Sequence, residues 1–203
     1  MNESDYFWRL VNTPLYWQDA ARDLICGANL LKKNYYSKPR LGFGPNGALL
    51  PEQVQEERHT TARAIIVLYA IAVENLLKAT IVALGKDPIG PDGTIQRWFA
   101  THDLVKLTEH AELQSAPTNL LEQLTAFIKA GKYPVGLRDG EAASAHNYFP
   151  DSVLAGISEL LPKLEAHLDA IPSKRDKLDK ADLLGLCVSS TVGDETAGRG
   201  GDG

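Results

Sequence analysis

From Pro51 to Gly85 the chain reads PEQVQEERHTTARAIIVLYAIAVENLLKATIVALG, with no glycine or proline between those two residues. Proline suits the first helical position, and Glu52, Glu56 and Glu57 put carboxylates in the opening turns, where the helix dipole favours them. Gly85, with Pro88 beyond it, marks the end. A helix of about 33 residues spans roughly 50 Å. Its middle, AIIVLYAIAV at 64–73, is apolar nearly all round, so it must be covered on every side. The rest of the chain has to supply that cover.

The flanking segments carry helical patterns. Thr13-Pro14 reads as a hydroxyl N-cap followed by proline, and Trp17, Ala21, Leu24, Ala28 and Leu31 recur at helical spacing, predicting a helix to about Leu31 or Lys33. Residues 34–50, with Pro39, Gly42, Gly44, Pro45, Asn46 and Gly47, read as loop. A further helix is expected near Thr101 or His102, ending before Ser115, with Thr101 as its cap. Another runs from near Thr118 to Gly131. A last helix begins after Pro150 and keeps register through Val153, Ile157, Leu160, Leu164 and Leu168, with Pro162 expected to kink or split it. No segment alternates with period two. The expected fold is therefore all-α, a four- to five-helix bundle around a long central helix. The expected domain is 1–171, followed at 172–203 by a charged then Gly-rich tail of disordered character.

Composition limits the function classes. The 203 residues carry a formal net charge of −5, which argues against a general affinity for nucleic-acid backbone. Cys26 and Cys187 stand far apart and outside any Cys-x-x-Cys unit, as expected of reduced thiols in a cytoplasmic protein. MNESDYFWRL lacks the apolar core of a signal peptide. The ten-residue run at 64–73 is short for a bilayer, and Arg63, Glu74 and Lys78 lie around it. A soluble chain without a membrane partner is the expectation.

Candidate chemistry is sparse. Glu56 and His59 match one Glu-x-x-His unit of a carboxylate-bridged metal site, but no second copy exists, so no metal or cofactor is expected. Arg63 and Glu74 point within about 20° of each other but lie roughly 16 Å apart along the axis, too far to touch. They could line one ligand-binding cleft. The favoured reading instead places Glu74 on the polar edge of the helix, in a surface ion pair with Lys78 one turn on. The other histidines share no ligand spacing, and there is no nucleophile elbow, phosphate loop or dinucleotide fingerprint.

Three pieces in order carry a family likeness: YAIAVENLLKATIVALG at 69–85, THDLVKL at 101–107 and LEQLTAFIKAGKYPV at 121–135. Together they resemble the HEPN superfamily, small all-α domains of prokaryotic toxin and phage-defence systems. The pieces are similar, in turn, to the central helix with its acidic residue, the His-Asp-Leu start of the next helix, and an aromatic-proline element. The resemblance implies a homodimer. In ribonuclease members it implies an arginine and a histidine with four to six residues between them, a pair that cleaves RNA without metal. Arg97 and His102 have that spacing but precede the helix the family motif follows; Arg138 and His146 lie nearer the expected place but are too widely spaced. Where the catalytic pair is expected the chain has GKYPVG, and HEPN-like proteins with such an element commonly bind partners instead. The resemblance thus implies a binding domain whose ligand is RNA or a protein encoded nearby, with Lys132 and Tyr133 as candidate phosphate or base contacts. The alternatives are a ribonuclease toxin acting through Arg138 with His146 or Arg97 with His102, and a plain protein–protein adaptor. The first residue-level reading of Lys132-Tyr133-Pro134 remains helix termination.

Overall fold

The computed structural model describes residues 3–37, 52–132 and 150–172. The GKYPVG element beyond Lys132, the Arg138–His146 pair, Cys187 and the expected 172–203 tail beyond its first residue lie outside the described residues.

Among the described residues six helices follow one another: α1 (Glu3–Val11), α2 (Pro14–Ser37), α3 (Glu52–Ala83), α4 (Leu104–His110), α5 (Thr118–Lys132) and α6 (Pro150–Asp169). No strand occurs among the described residues, so the fold is all-α with a long central helix, as expected. α3 is the axis. It packs most extensively on α2 and then on α6, α5 and α4. Ile65, Ile66, Leu76, Leu77 and Ile81 are fully enclosed. On α2 the facing positions are small, with Ala21 and Ala28 at 0% exposure, which lets two long helices approach closely. The segment Thr61–Ala83 has the length and mean hydropathy, 1.9, of a membrane span, a longer stretch than the ten-residue run suggests. Of its most apolar window 78% is buried inside the protein, so packing within the chain accounts for its apolarity.

α3 ends as its glycine predicts. Gly85 takes φ +80°, its N–H donates to Val82 O at 2.9 Å, and Lys86 N–H reaches Ile81 O at 3.3 Å, the paired bonds of a left-handed helix stop. From there to α4 the chain forms a small knot. Ile89 and Ile95 pair in one antiparallel bridge across the turn Gly90–Gly93. Gln96 clamps it: its amide donates to Asp87 O at 2.9 Å and Ile89 O at 3.3 Å, while its oxygen accepts from Trp98 Nε1 at 2.7 Å.

Several boundaries differ from expectation. α1 was not legible as a separate helix. Thr13 does not cap α2 with its side chain; its hydroxyl donates to Arg9 O at 2.7 Å, satisfying an end carbonyl of α1, and Trp17 Nε1 takes Val11 O at 2.9 Å. α2 continues to Ser37, past the expected stop, because Tyr35 extends the apolar stripe and is 3% exposed. The cap of α4 is Asp103, not Thr101: its carboxylate accepts from Lys106 N–H at 3.3 Å, and Thr101 Oγ1 accepts from Asp103 N–H at 3.1 Å. α6 runs on as one helix through the exposed Pro162 instead of splitting there.

The far end of α4 closes on three elements. Glu112, at φ 58°, supplies the left-handed residue, and Leu113 N–H bonds Thr108 O at 3.1 Å. Lys86 donates to His110 O at 2.7 Å and pairs with Glu112 at 2.9 Å. His167 of α6 lies 3.0 Å from Ala111 O through Nε2 and, against a carbonyl, must donate. The lysine beside it holds the Glu112 carboxyl below the usual range, chiefly through that hydrogen bond, with its charge and that of His167 adding.

Candidate functional site

Glu74 and Lys78 lie one turn apart on α3, within the part of the helix enclosed on all sides. Their exposures are 4% and 6%. They are therefore not the polar edge expected from the i,i+4 spacing. Lys78 Nζ lies 2.5 Å from Glu74 Oε1, and the pair is closed off by rings. The ammonium sits 5.3 Å from the centre of Trp17, near the start of α2, and 5.4 Å from that of Phe99, in the segment before α4. The two rings meet edge to face at 5.4 Å. A cation between aromatic walls is stabilised by their quadrupoles where water is excluded.

His102 completes the group. Its Nδ1 faces both carboxylate oxygens of Glu74, at 3.1 and 2.9 Å. An ionised carboxylate only accepts, so Nδ1 carries the proton. The imidazole side chain is 33% exposed, whereas the carboxylate behind it is 6% exposed. Glu74 thus holds an ammonium and an imidazole at once, and ties the central helix to the turn that starts α4. Leu104 N–H, at that turn, is satisfied by Thr125 Oγ1 of α5 at 3.0 Å.

Of the residues singled out from sequence, the structure brings together Glu74 and His102. Arg63 is elsewhere: its Nη2 lies 3.5 Å from Ala130 O near the end of α5, and it does not join Glu74 in a cleft. Arg97 is exposed and makes no hydrogen bond or ion pair with His102 among the described residues. Lys132 closes α5, with its side chain outside the described residues, as are the side chains of Glu56 and His59. Tyr133, Arg138 and His146 lie outside them altogether. Trp98 stacks on His110 with centroids 4.5 Å apart, so that histidine serves as a packing surface. Among the described residues no group of three or more His, Cys, Asp or Glu side chains is placed to hold a metal ion. Two shallow clefts lie away from His102. One, of about 350 Å³, runs between Leu120 of α5 and Gly156 of α6; the other, of about 320 Å³, runs along α2 by Ile25 and Leu30.

Sequence reasoning missed that Lys78 is buried and that Trp17 and Phe99 wall it in. The signal was present. Positions 74 and 78 fall inside a segment apolar on all sides, where any charge must find a partner.

No protein-family model, curated protein or solved structure matches this chain.

Proposed function

We propose that the chain is a HEPN-like helical binding domain that works as a homodimer in a prokaryotic stress or phage-defence setting, in the cytoplasm, without catalysis of its own. The observation that supports this most is the double engagement of Glu74. Its carboxylate is shared between a buried ammonium and His102, so the His-Asp-Leu histidine is spent on joining α3 to α4. The acidic balance of −5 favours a protein partner over RNA.

A second reading, a metal-independent ribonuclease, draws on one feature of the same site. A buried carboxylate behind a partly exposed imidazole is the arrangement that orients a general base. Lys78 weighs against it, because it already neutralises that carboxylate.

The test uses purified chain with single-stranded and transfer RNA in the presence of a chelator, for wild type and His102→Ala. The binding reading expects no histidine-dependent cleavage, and a His102→Ala chain that stays folded but loses about 1–2 kcal/mol of stability, one charge-assisted hydrogen bond at a partly exposed site. RNA cleaved by wild type and left intact by a folded His102→Ala chain overturns it in favour of the nuclease. RNA retained through purification, or shifted at low salt without cleavage, would make nucleic acid the ligand.

A further inference from the structure

The exposed large apolar side chains among the described residues are Tyr6, Phe7, Tyr16 and Leu30, all on α1 and α2. Leu30 is 63% exposed, an unusual position for leucine on a helix whose other face is core. It borders a groove of about 320 Å³ whose floor includes Ile25 and Cys26 and whose rim carries Arg22, Lys33 and, from α6, Glu165.

The outward face of α2 is arranged symmetrically about Cys26, which is exposed and carries a free thiol. Asp19 and Lys33 lie seven residues before and after it, about two helical turns or roughly 10 Å each way. Arg22 and Leu30 lie four residues before and after, Asp23 and Asn29 three, and all of these are exposed. Two aspartates with Arg22 between them therefore occupy one end of the face, and Lys33 the other. Asp19 reaches only Arg22 of its own helix, at 3.2 Å, and Lys33 has no ion pair among the described residues.

We propose that this face is a homodimer surface. Two copies pack α2 against α2 in antiparallel fashion about a two-fold axis at Cys26. Each Leu30 enters the partner's groove beside Arg22 and Ile25, and each Lys33 faces the partner's Asp19. A two-fold interface requires one patch to complement itself, and a face with opposite charges equidistant from a centre does so twice at once. An anionic membrane or nucleic acid would instead meet Asp19 and Asp23 with repulsion. The inference deepens the homodimer part of the proposed function and takes from it only the stoichiometry.

The experiment uses the full chain in a Cys187→Ser background, with light scattering over a concentration series and a short bis-maleimide as probe. The surface predicts a dimer mass and a cross-link through Cys26. Leu30→Glu gives a folded monomer, since the side chain is 63% exposed in the single chain, and its thermal midpoint no longer rises with protein concentration as that of the dimer does. D19K and K33D each weaken dimerisation about tenfold or more, and the D19K/K33D double variant, self-complementary again, restores it. A dimer indifferent to Leu30→Glu, or a double variant no better than the singles, sinks this surface but leaves the homodimer standing. A monomer at every concentration sinks both.

Discussion

Replacing Glu74 by glutamine keeps the shape of the side chain and removes its charge. The Lys78 ammonium then stays 6% exposed, between two rings, with no anion against it. Removing one member of a buried pair typically costs about 3–5 kcal/mol, because the remaining charge is left out of water without compensation. Cation–π attraction from Trp17 and Phe99 offsets roughly 1–2 kcal/mol at most, but it is present in wild type too and does not reduce the difference. Against a total stability of about 5–15 kcal/mol, the loss is a large fraction. For a chain of this size it corresponds to a fall of about 6–20 °C in the thermal midpoint. Lys78→Met should cost less than Glu74→Gln, because the orphaned carboxylate still has the His102 N–H. The decisive variant is the double, Glu74→Gln with Lys78→Met, in which neither charge remains. It should recover most of the loss and come within about 2 kcal/mol of wild type, since exchanging a buried ion pair for neutral groups of like volume is often nearly neutral. Urea unfolding followed by circular dichroism measures all four chains. If Glu74→Gln costs under about 1 kcal/mol, or if the double variant is as unstable as the sum of the singles, the charges are not buried against each other and the argument fails.

Three other outcomes follow from the same structure. Gln96→Ala removes bonds to Asp87 O, Ile89 O and Trp98 Nε1, and should cost about 1–3 kcal/mol and speed proteolysis within residues 86–100 before the helices are cut. Gly85→Ala should cost about 1–2 kcal/mol by thermal unfolding, because a Cβ there meets no neighbour and only the +80° φ resists it. The Glu112 carboxyl is held below its unfolded value, so its contribution is fully present above the ordinary carboxylate range and is lost as pH falls through the lowered folded value. Glu112→Gln should therefore lower stability slightly at neutral pH and leave the acid end unchanged, making the acid limb of a stability-against-pH curve shallower; an acid limb of unaltered slope would count against the Lys86 contact.

The all-α character and the central helix were legible because they depend on patterns that need only local sequence: the long run without breakers, the proline start, the glycine stop. The start of α6 after Pro150 was legible for the same reason. Misplaced boundaries had a common cause. Thr13 and Thr101 have the chemistry of caps, but Arg9 O in one case and Asp103 in the other competed for the same groups, and such competition is settled by the third dimension. α1 is a single short amphipathic segment whose hold on the bundle depends on Trp17 reaching Val11 O, a contact no periodicity encodes. At the site, the histidine and the glutamate were both visible as candidates, but their meeting was not, since 28 residues and a folded turn separate them. The i,i+4 rule that suggested a surface pair for Glu74 and Lys78 is blind to what lies over the helix. The apolar neighbours on every side should have outweighed it.

The ammonium of Lys78 also acts as a ruler. Trp17 and Phe99 belong to different segments, and each must arrive at one point on α3 for that charge to be tolerated. Sliding α2 by one turn, about 5.4 Å, would bring Ala21 or the end of the helix at Pro14 to the place of the Trp17 ring and leave the ammonium without that aromatic wall. Aliphatic contacts between long helices tolerate such slips, since one branched side chain fits much as another does. A buried ion pair walled by two particular rings does not, so the position that is dearest to bury is also the one that makes misaligned packings of this bundle distinguishable from the native one.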